Sequence, residues 1–201
     1  YLNNPVNISI ENNDVIETNI KQKVIKTIPN EKVDELINQI DQRKGSILIF
    51  AKTKIGVDKL VKKLKANSVK ASALHGGMRQ NKRSKIMQNF RDERFRILVA
   101  TDIASRGLDV PHIEHIINYD MPQAPEDFIH RIGRTARAGS VGEAVSFLTQ
   151  KDTRIWRSIE RLLNKEEFKK KKGNSKHENN PKFKHKRRGS SRNKKKVGGR
   201  N

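Results

Sequence analysis

The chain has 201 residues, with 44 Lys and Arg against 22 Asp and Glu, so its formal net charge is +22. Such a charge points to a polyanionic partner, above all nucleic acid. Because cysteine is absent, disulfides and thiolate metal sites are excluded. The sequence has no run of about 18 apolar residues, which a bilayer-spanning helix would need. We therefore expect a cytoplasmic protein without membrane contact. The start at Tyr1 and not at Met suggests a fragment of a longer protein.

In chain order, the hydrophobic patterns predict alternating strands and helices. Strands are predicted at Val15–Ile25, Ser46–Ala51, Val69–Leu74, Arg96–Thr101, Glu114–Tyr119 and Ala144–Leu148. The amphipathic helices between and after them carry apolar groups at helical spacing, namely Val33, Leu36, Ile37 and Ile40, then Val57, Leu60, Val61 and Leu64, then Ile86, Met87 and Phe90, and last Ile155, Ile159, Leu162 and Leu163. This alternation is typical of an α/β fold, a doubly wound parallel sheet with helices on both faces.

The positive charge is concentrated at the C-terminal end. Residues 165–201 hold sixteen Lys and Arg against three Glu, including the basic runs Lys169–Lys172, Lys184–Arg188 and Arg192–Lys196. Their few apolar residues cannot bury enough surface to offset the entropy lost on ordering. We therefore predict a disordered basic tail over 165–201 that binds phosphates, with a purely solubilising tail as the alternative.

Three loops after predicted strands combine glycine with polar residues. They are Phe50–Thr53, Leu74–Met78 together with Gln80 and Arg83, and Ala100–Asp109. Ligands of open parallel sheets bind in such loops, outside the carboxyl ends of the strands. Taken singly, each could be ordinary glycine and polar capping at a helix start, and for the first loop that alternative stays open. The three together indicate a site.

The strongest local signal is the segment His130–Gly139. Pro125 suits the first turn of a short helix that would carry Phe128–Gly133 and deliver the arginines near its end. Arg131, Arg134 and Arg137 recur every three residues, so we expect their guanidinium groups on one side, facing carboxylates and phosphates. A solvated basic face is the alternative, but it does not account for the two glycines that interrupt the helical pattern.

These residues resemble the C-terminal half of a DEAD-box RNA helicase of superfamily 2. In chain order, Leu48–Thr53 is similar to motif IV, Gln80 and Arg83 to the Gln-x-x-Arg element, Ala100–Asp109 to motif V, Val110–Pro122 to the Asn-Tyr-Asp-x-Pro region and His130–Gly139 to motif VI. The resemblance implies a RecA-like domain over 15–164, preceded by a linker at 1–14 from a first RecA-like domain. The bacterial RhlE-like group resembles it most.

The resemblance also implies an ATP site shared between two RecA-like domains, with the phosphate-cradling loop and the Mg²⁺ ligands on the first one. Arg134 and Arg137 match the family's arginine fingers, which contact the γ-phosphate. Arg131 would pair with a carboxylate of the first domain, and Asp109 would lie near the ribose. His130 would help to couple the two ligand sites, with a structural histidine as the alternative. No metal ligands are expected in this chain.

For RNA, the resemblance implies contacts to the sugar-phosphate backbone, which fix register without reading bases. The matching positions are Thr53, Gly77, Gln80, Arg83, Thr101 and Gly107. The full-length protein would be an RNA-dependent ATPase that unwinds short duplexes locally, and this chain alone would be inactive. Its partners would be RNA and its own N-terminal RecA-like domain, within a monomer. The alternatives are a non-enzymatic RNA-binding module and a DNA-directed motor of the same superfamily.

Overall fold

The computed structural model describes residues 19–105, 110, 112–136 and 141–174, with side chains described as far as Asn164. The strands are β1 Ile20–Lys26, β2 Ile47–Phe50, β3 Ser72–Leu74, β4 Ile97–Ala100, β5 His115–Asn118 and β6 Gly142–Leu148. The helices are α1 Lys32–Asp41, α2 Lys54–Ala66, α3 Gln80–Arg91, α4 Asp102–Ser105, α5 Pro125–Ile132 and α6 Thr153–Asn174. A single 3₁₀ turn, Gln150–Asp152, leads into α6.

The six strands form one sheet in the order β1-β6-β5-β2-β4-β3, and every pair in it is parallel. All four residues of β2 and all four of β4 are buried. Burial on both faces is what continuous apolar strands require, because a parallel sheet is covered by the helices that connect its strands. The predicted α/β fold with a doubly wound parallel sheet is confirmed.

Successive side chains of β2 separate two hydrophobic cores, because a strand alternates its side chains between the two faces of a sheet. Ile47 and Ile49 belong to a core that is completed by α1 and α2. Leu48 and Phe50 belong to the other core, completed by α3, α5 and α6. The helix residues that fill the second core include Phe90, Phe128, Trp156 and Ile159. Helices therefore pack on both faces of the sheet, and loops form its carboxyl edge.

Some observed strands are shorter than predicted, as β3 covers Ser72–Leu74 and not Val69–Leu74, and two helices also differ from the prediction. The short helix α4 at Asp102–Ser105 was not predicted, because four residues are too few to show a period. The last helix continues to Asn174, ten residues past the predicted start of a disordered tail at Lys165. Lys and Glu, which dominate those ten residues, are good helix formers, so charge alone did not mark the end of the helix. The predicted linker 1–14 and residues 175–201 lie outside the described residues.

Candidate functional site at the carboxyl edge of the sheet

Arg131 is a buried arginine that holds the centre of this edge together. Its side chain is 2% exposed, and it donates from Nε and Nη2 to the two carboxylate oxygens of Asp102, at 2.6 and 2.8 Å. Its Nη1 donates to Asn118 Oδ1 at 3.2 Å and to the carbonyl oxygen of Asp120 at 2.6 Å. The guanidinium also lies 4.8 Å from the ring centre of Phe50. The bidentate geometry fixes α5 to the start of α4.

The expected pairing of Arg131 with a carboxylate of another domain stays a prediction, and within this chain Arg131 pairs with Asp102. The reason lies in the face of α5 that it occupies. Helix α5 begins at Pro125 and buries Phe128 and Ile132, and Arg131 lies on that same inner side. An arginine three residues after a buried aromatic residue is turned towards the sheet, and Asp102 neutralises it there.

A shallow depression opens beside this ion pair. Its lining residues are Phe50, Asp102, Ser105, Asp127, His130, Arg131 and Arg134. Arg134 follows the end of α5, and its backbone N–H donates to the carbonyl of Arg131 at 3.0 Å. Arg131 and Arg134 both line this depression. The third arginine, Arg137, lies outside the described residues, as do Gly107 and Asp109.

His130 lies at the rim of this depression. Its side chain is 69% exposed, and its Nδ1 is 3.9 Å from Asp127 Oδ1, which is too far for a hydrogen bond. The alternative of a structural histidine needs burial and a partner at hydrogen-bond distance. The observed exposure leaves the imidazole ring available to an incoming ligand.

The loops after β2 and β3 lie side by side. Thr53 caps α2, since its Oγ1 accepts a hydrogen bond from the backbone N–H of Gly56 at 2.9 Å. Gly77 donates its backbone N–H to Nδ1 of His75, so the other ring nitrogen, Nε2, donates to Asp58 Oδ1 at 3.1 Å. A Cβ placed on Gly77 would lie 3.3 Å from the side chain of Lys54. Glycine thus lets the two loops approach closely.

The end of β4 lies at the same carboxyl edge of the sheet. Thr101 is buried, and its backbone N–H donates to the carbonyl of Leu74 at 3.2 Å. Asp102, the partner of Arg131, is the next residue. The candidate RNA contact Thr101 and the candidate phosphate ligand Arg134 are therefore separated by one ion pair.

The first turn of α3 supplies Gln80 and Arg83. Arg83 donates from Nη1 to Gln80 Oε1 at 3.2 Å. Its Nε is buried and has no hydrogen-bond partner among the described residues. A half-buried guanidinium held by a neutral amide retains donors for an anionic ligand, because no carboxylate neutralises it.

Asp120 and Lys32 bind to each other. The sequence placed Asp120 in the Asn-Tyr-Asp-x-Pro region without a role and did not single out Lys32. Lys32 Nζ lies 2.7 Å from Asp120 Oδ1 and 4.4 Å from the ring centre of Tyr119. The second oxygen of Asp120 accepts the backbone N–H of Lys52 at 3.0 Å. Burial, with the charge of Asp120 adding to it, raises the pKa of Tyr119 to about 12. A carboxylate directly after a buried strand was the available signal. Through its bond to Lys52, the Asp120 carboxylate connects the loop after β5 to the loop after β2.

Within the described ranges, no group of three or more His, Asp or Glu side chains could hold a metal ion. The same part of the chain contains no helix that is both long and apolar enough to cross a membrane.

Comparison with known proteins identifies the family. Residues 30–139 match the helicase conserved C-terminal domain. The DEAD-box ATP-dependent RNA helicase 21 of Oryza sativa subsp. japonica is 40% identical over 164 residues, which cover 81% of this chain and 22% of that protein. The DEAD-box ATP-dependent RNA helicase CshA of Bacillus subtilis (strain 168) is 34% identical over 161 residues, or 80% of this chain and 33% of that protein.

Solved structures agree with this result. The C-terminal domain of the DEAD-box protein Dbp5 is 32% identical, with a TM-score of 0.64 over 74% of this chain and 86% of that chain. A DEAD box protein from Methanococcus jannaschii is 38% identical, with a TM-score of 0.68 over 73% of this chain and 40% of that one. The chain spans about a third or less of the curated relatives it matches. It belongs to the helicase conserved C-terminal domain family and is a C-terminal RecA-like domain of the DEAD-box type.

Proposed function

We propose that this chain is the half of an RNA-dependent ATPase that completes the ATP site and carries part of the RNA site. The observation that supports it most is the bidentate pair between Arg131 and Asp102. This pair connects the loop after β4, which begins with Thr101, to the end of α5, which carries Arg134. A rigid link between two candidate ligand sites gives a physical route by which RNA binding could be coupled to ATP turnover.

Arg134 and Arg137 are proposed to bind the γ-phosphate of ATP held by the N-terminal RecA-like domain of the same protein. An arginine supplied across a domain interface counters the charge that develops in phosphoryl transfer, and it contributes about 10³- to 10⁵-fold in rate. That factor corresponds to about 4 to 7 kcal/mol of barrier. His130 would line the same cleft, and Asp109 would face the ribose.

The depression itself suits an anion better than a metal ion. Arg134 lines it, while the Asp102 carboxylate within it is already neutralised by Arg131. A Mg²⁺ ion requires several oxygen ligands at short distance, and this side of the cleft does not assemble them in the described residues. We propose that the Mg²⁺ ligands belong to the first domain, and that this chain contributes cationic groups.

The proposed RNA contacts are Thr53, Gly77, Gln80, Arg83, Thr101 and Gly107. Those in the described part of the chain follow three adjacent strands, β2, β4 and β3, at one edge. A hydroxyl, a glycine backbone N–H, an amide and a guanidinium can all bind phosphate and sugar, and contacts to these groups carry no sequence information. We therefore propose binding that is largely independent of sequence.

In the proposed cycle, ATP and RNA bring the two domains together and strain a short duplex, and phosphate release reopens the cleft. The protein would act as a cytoplasmic monomer. The basic residues 165–201 would tether RNA electrostatically. Placement in the bacterial RhlE-like group is also a proposal, supported by the combination of this domain with a basic tail.

The test of the ATP role is Arg134→Ala in the full-length protein, with Arg157→Ala as the matched control. Arg157 is exposed on α6, away from the depression. We expect Arg134→Ala to lower kcat by about 10³-fold or more, because the transition-state charge loses its counterion. Its RNA affinity and the activity of the control should stay near wild type. Near-normal hydrolysis by Arg134→Ala would contradict the proposed role.

A further inference from the structure

Helix α2 presents an outward surface made largely of lysine. Five of its thirteen residues are lysines, all of them exposed: Lys54, Lys59, Lys62, Lys63 and Lys65. The buried residues Val57, Leu60 and Leu64 occupy the opposite side. At 100° per residue the lysines spread across the whole solvent-facing half of the helix. We call these five residues the α2 lysine surface.

Helix stability accounts for only part of this arrangement, because Lys63 and Lys65 lie in the last turn, where cations favour the helix dipole. Lys59 and Lys62, Lys59 and Lys63, and Lys62 and Lys65 are neighbours at i, i+3 or i, i+4, and like charges at these spacings destabilise a helix. The only acid on α2 is Asp58, and it is engaged by His75. In the described part of the chain, none of the five lysines takes part in an ion pair. These exposed and unpaired ammonium groups are thus available to an anionic partner.

The helix beside it has the opposite character. Helix α1 packs on the same face of the sheet, and its exposed charged residues are Asp34 and Asp41, with Glu31 at its N-cap. The exposed lysines of these two helices therefore all belong to α2. A polyanion that reaches the face would be attracted along α2 and repelled from α1.

The α2 lysine surface is also continuous with the proposed RNA site. Thr53 caps the helix, and Lys54 contacts the loop that holds Gly77. From Lys54, the helix axis carries Lys59 about 8 Å and Lys63 about 14 Å away from the carboxyl edge. The α2 lysine surface thus begins beside the proposed backbone contacts and extends away from them along the helix.

We propose that the α2 lysine surface extends the RNA path and binds the sugar-phosphate backbone of the strand beyond the loops. The proposal rests on the proposed RNA-binding function and adds a track to it. Lysine ammonium groups on flexible stems bind phosphates as point charges, so the added segment is bound without regard to sequence. An RNA too short to leave the loops gains nothing from α2, whereas a longer one does.

The experiment is a salt titration of RNA binding by the 201-residue chain, with single-stranded RNAs of about six and about twenty nucleotides. One variant carries Lys59→Gln, Lys62→Gln and Lys63→Gln. Its matched control loses the same charge from exposed positions of α6, on the other face of the sheet, through Arg154→Gln, Arg157→Gln and Arg161→Gln. All six positions are exposed, so neither triple substitution disturbs a core.

For the longer RNA, the lysine variant should lower the magnitude of the slope of log K against log salt by about 2, since each neutralised phosphate contributes about −0.7. The six-nucleotide RNA and the arginine control should keep the wild-type slope. Equal effects of the two triple variants, or an unchanged slope for the lysine variant, would overturn the proposal. The latter result would leave an acidic protein as the partner of α2.

A further variant separates this outcome from failure of the RNA function itself. Arg83→Gln alters a proposed loop contact, so it should weaken binding of both RNAs. If wild type binds neither RNA and Arg83→Gln changes nothing, the proposed function fails. If Arg83→Gln weakens both RNAs while the lysine variant has no effect, only the α2 track is refuted.

Discussion

The ion pair between Asp102 and Arg131 should be among the most costly interactions to break in the domain. In Asp102→Ala, the guanidinium of Arg131 stays buried and loses two hydrogen bonds of 2.6 and 2.8 Å. It keeps its bonds to Asn118 and to the carbonyl of Asp120. An uncompensated buried charge costs about 3 to 5 kcal/mol. Because the Asp102 side chain is 28% exposed, water can hydrate part of the gap, and we expect the lower end, about 3 kcal/mol.

Urea and thermal unfolding of the chain measure this loss. For a chain of this size, about 3 kcal/mol corresponds to a fall in Tm of about 6 to 12 °C. The double variant Asp102→Ala with Arg131→Met removes both charges, so it should unfold at a higher urea concentration than Asp102→Ala alone. That comparison separates the unpaired charge from any effect at the start of α4.

Asp92→Ala is the control for a surface pair. Its carboxylate lies 3.7 Å from Arg94, and the side chains are 38% and 69% exposed. Such pairs contribute about 1 kcal/mol or less. If Asp102→Ala cost no more than Asp92→Ala, Arg131 would not be a buried anchor, and the rigid link between the two ligand sites would have no physical basis.

The remaining predictions concern pH and the tail. The ring of His115, with Nδ1 3.5 Å away, and the bidentate Arg43 guanidinium lower the pKa of Glu143 from 4.5 to about 2, against the opposing effect of burial. Because the folded pKa is the lower one, the contribution of Glu143 to stability is complete above about pH 4.5 and lost as the pH falls towards 2. Urea titrations should show a weaker pH dependence for Glu143→Gln between these values, and an unchanged one would contradict the assigned pair. Deleting residues 165–201 should lower the magnitude of the RNA salt slope by roughly 3 if four or five cations are engaged, with little change in kcat at saturating RNA. An unchanged slope would mean that the tail does not tether RNA, and a collapsed kcat would give it a role beyond tethering.

Periodicity was enough to predict the sheet and its covering helices. The run Ser46–Ala51 had no polar residue after its first, as a strand buried on both faces requires, and it became β2. The helix before motif VI was predicted from Pro125, which is its first residue in the structure. In both cases, the signal was local: it lay within the residues that form the element.

The parts that the sequence did not reveal depend on contacts between distant residues. Arg131 pairs with Asp102, which lies 29 positions earlier in the chain, and Lys32 pairs with Asp120, which lies 88 positions later. The spacing of three along motif VI describes one helix and carries no information about the sheet edge beneath it. The side of α5 that faces the sheet decided the partner of Arg131, and only the packing of Phe128 fixes that side.

The central claim is that this chain completes an ATP site that it does not itself contain. The most direct measurement is RNA-stimulated ATP hydrolysis by the full-length protein and by this chain alone, at equal concentrations and saturating RNA. We predict turnover by the full-length protein and none by the chain, because the proposed Mg²⁺ ligands and phosphate loop lie on the first domain. Hydrolysis by the chain alone, or a full-length protein that ignores RNA, would contradict the account.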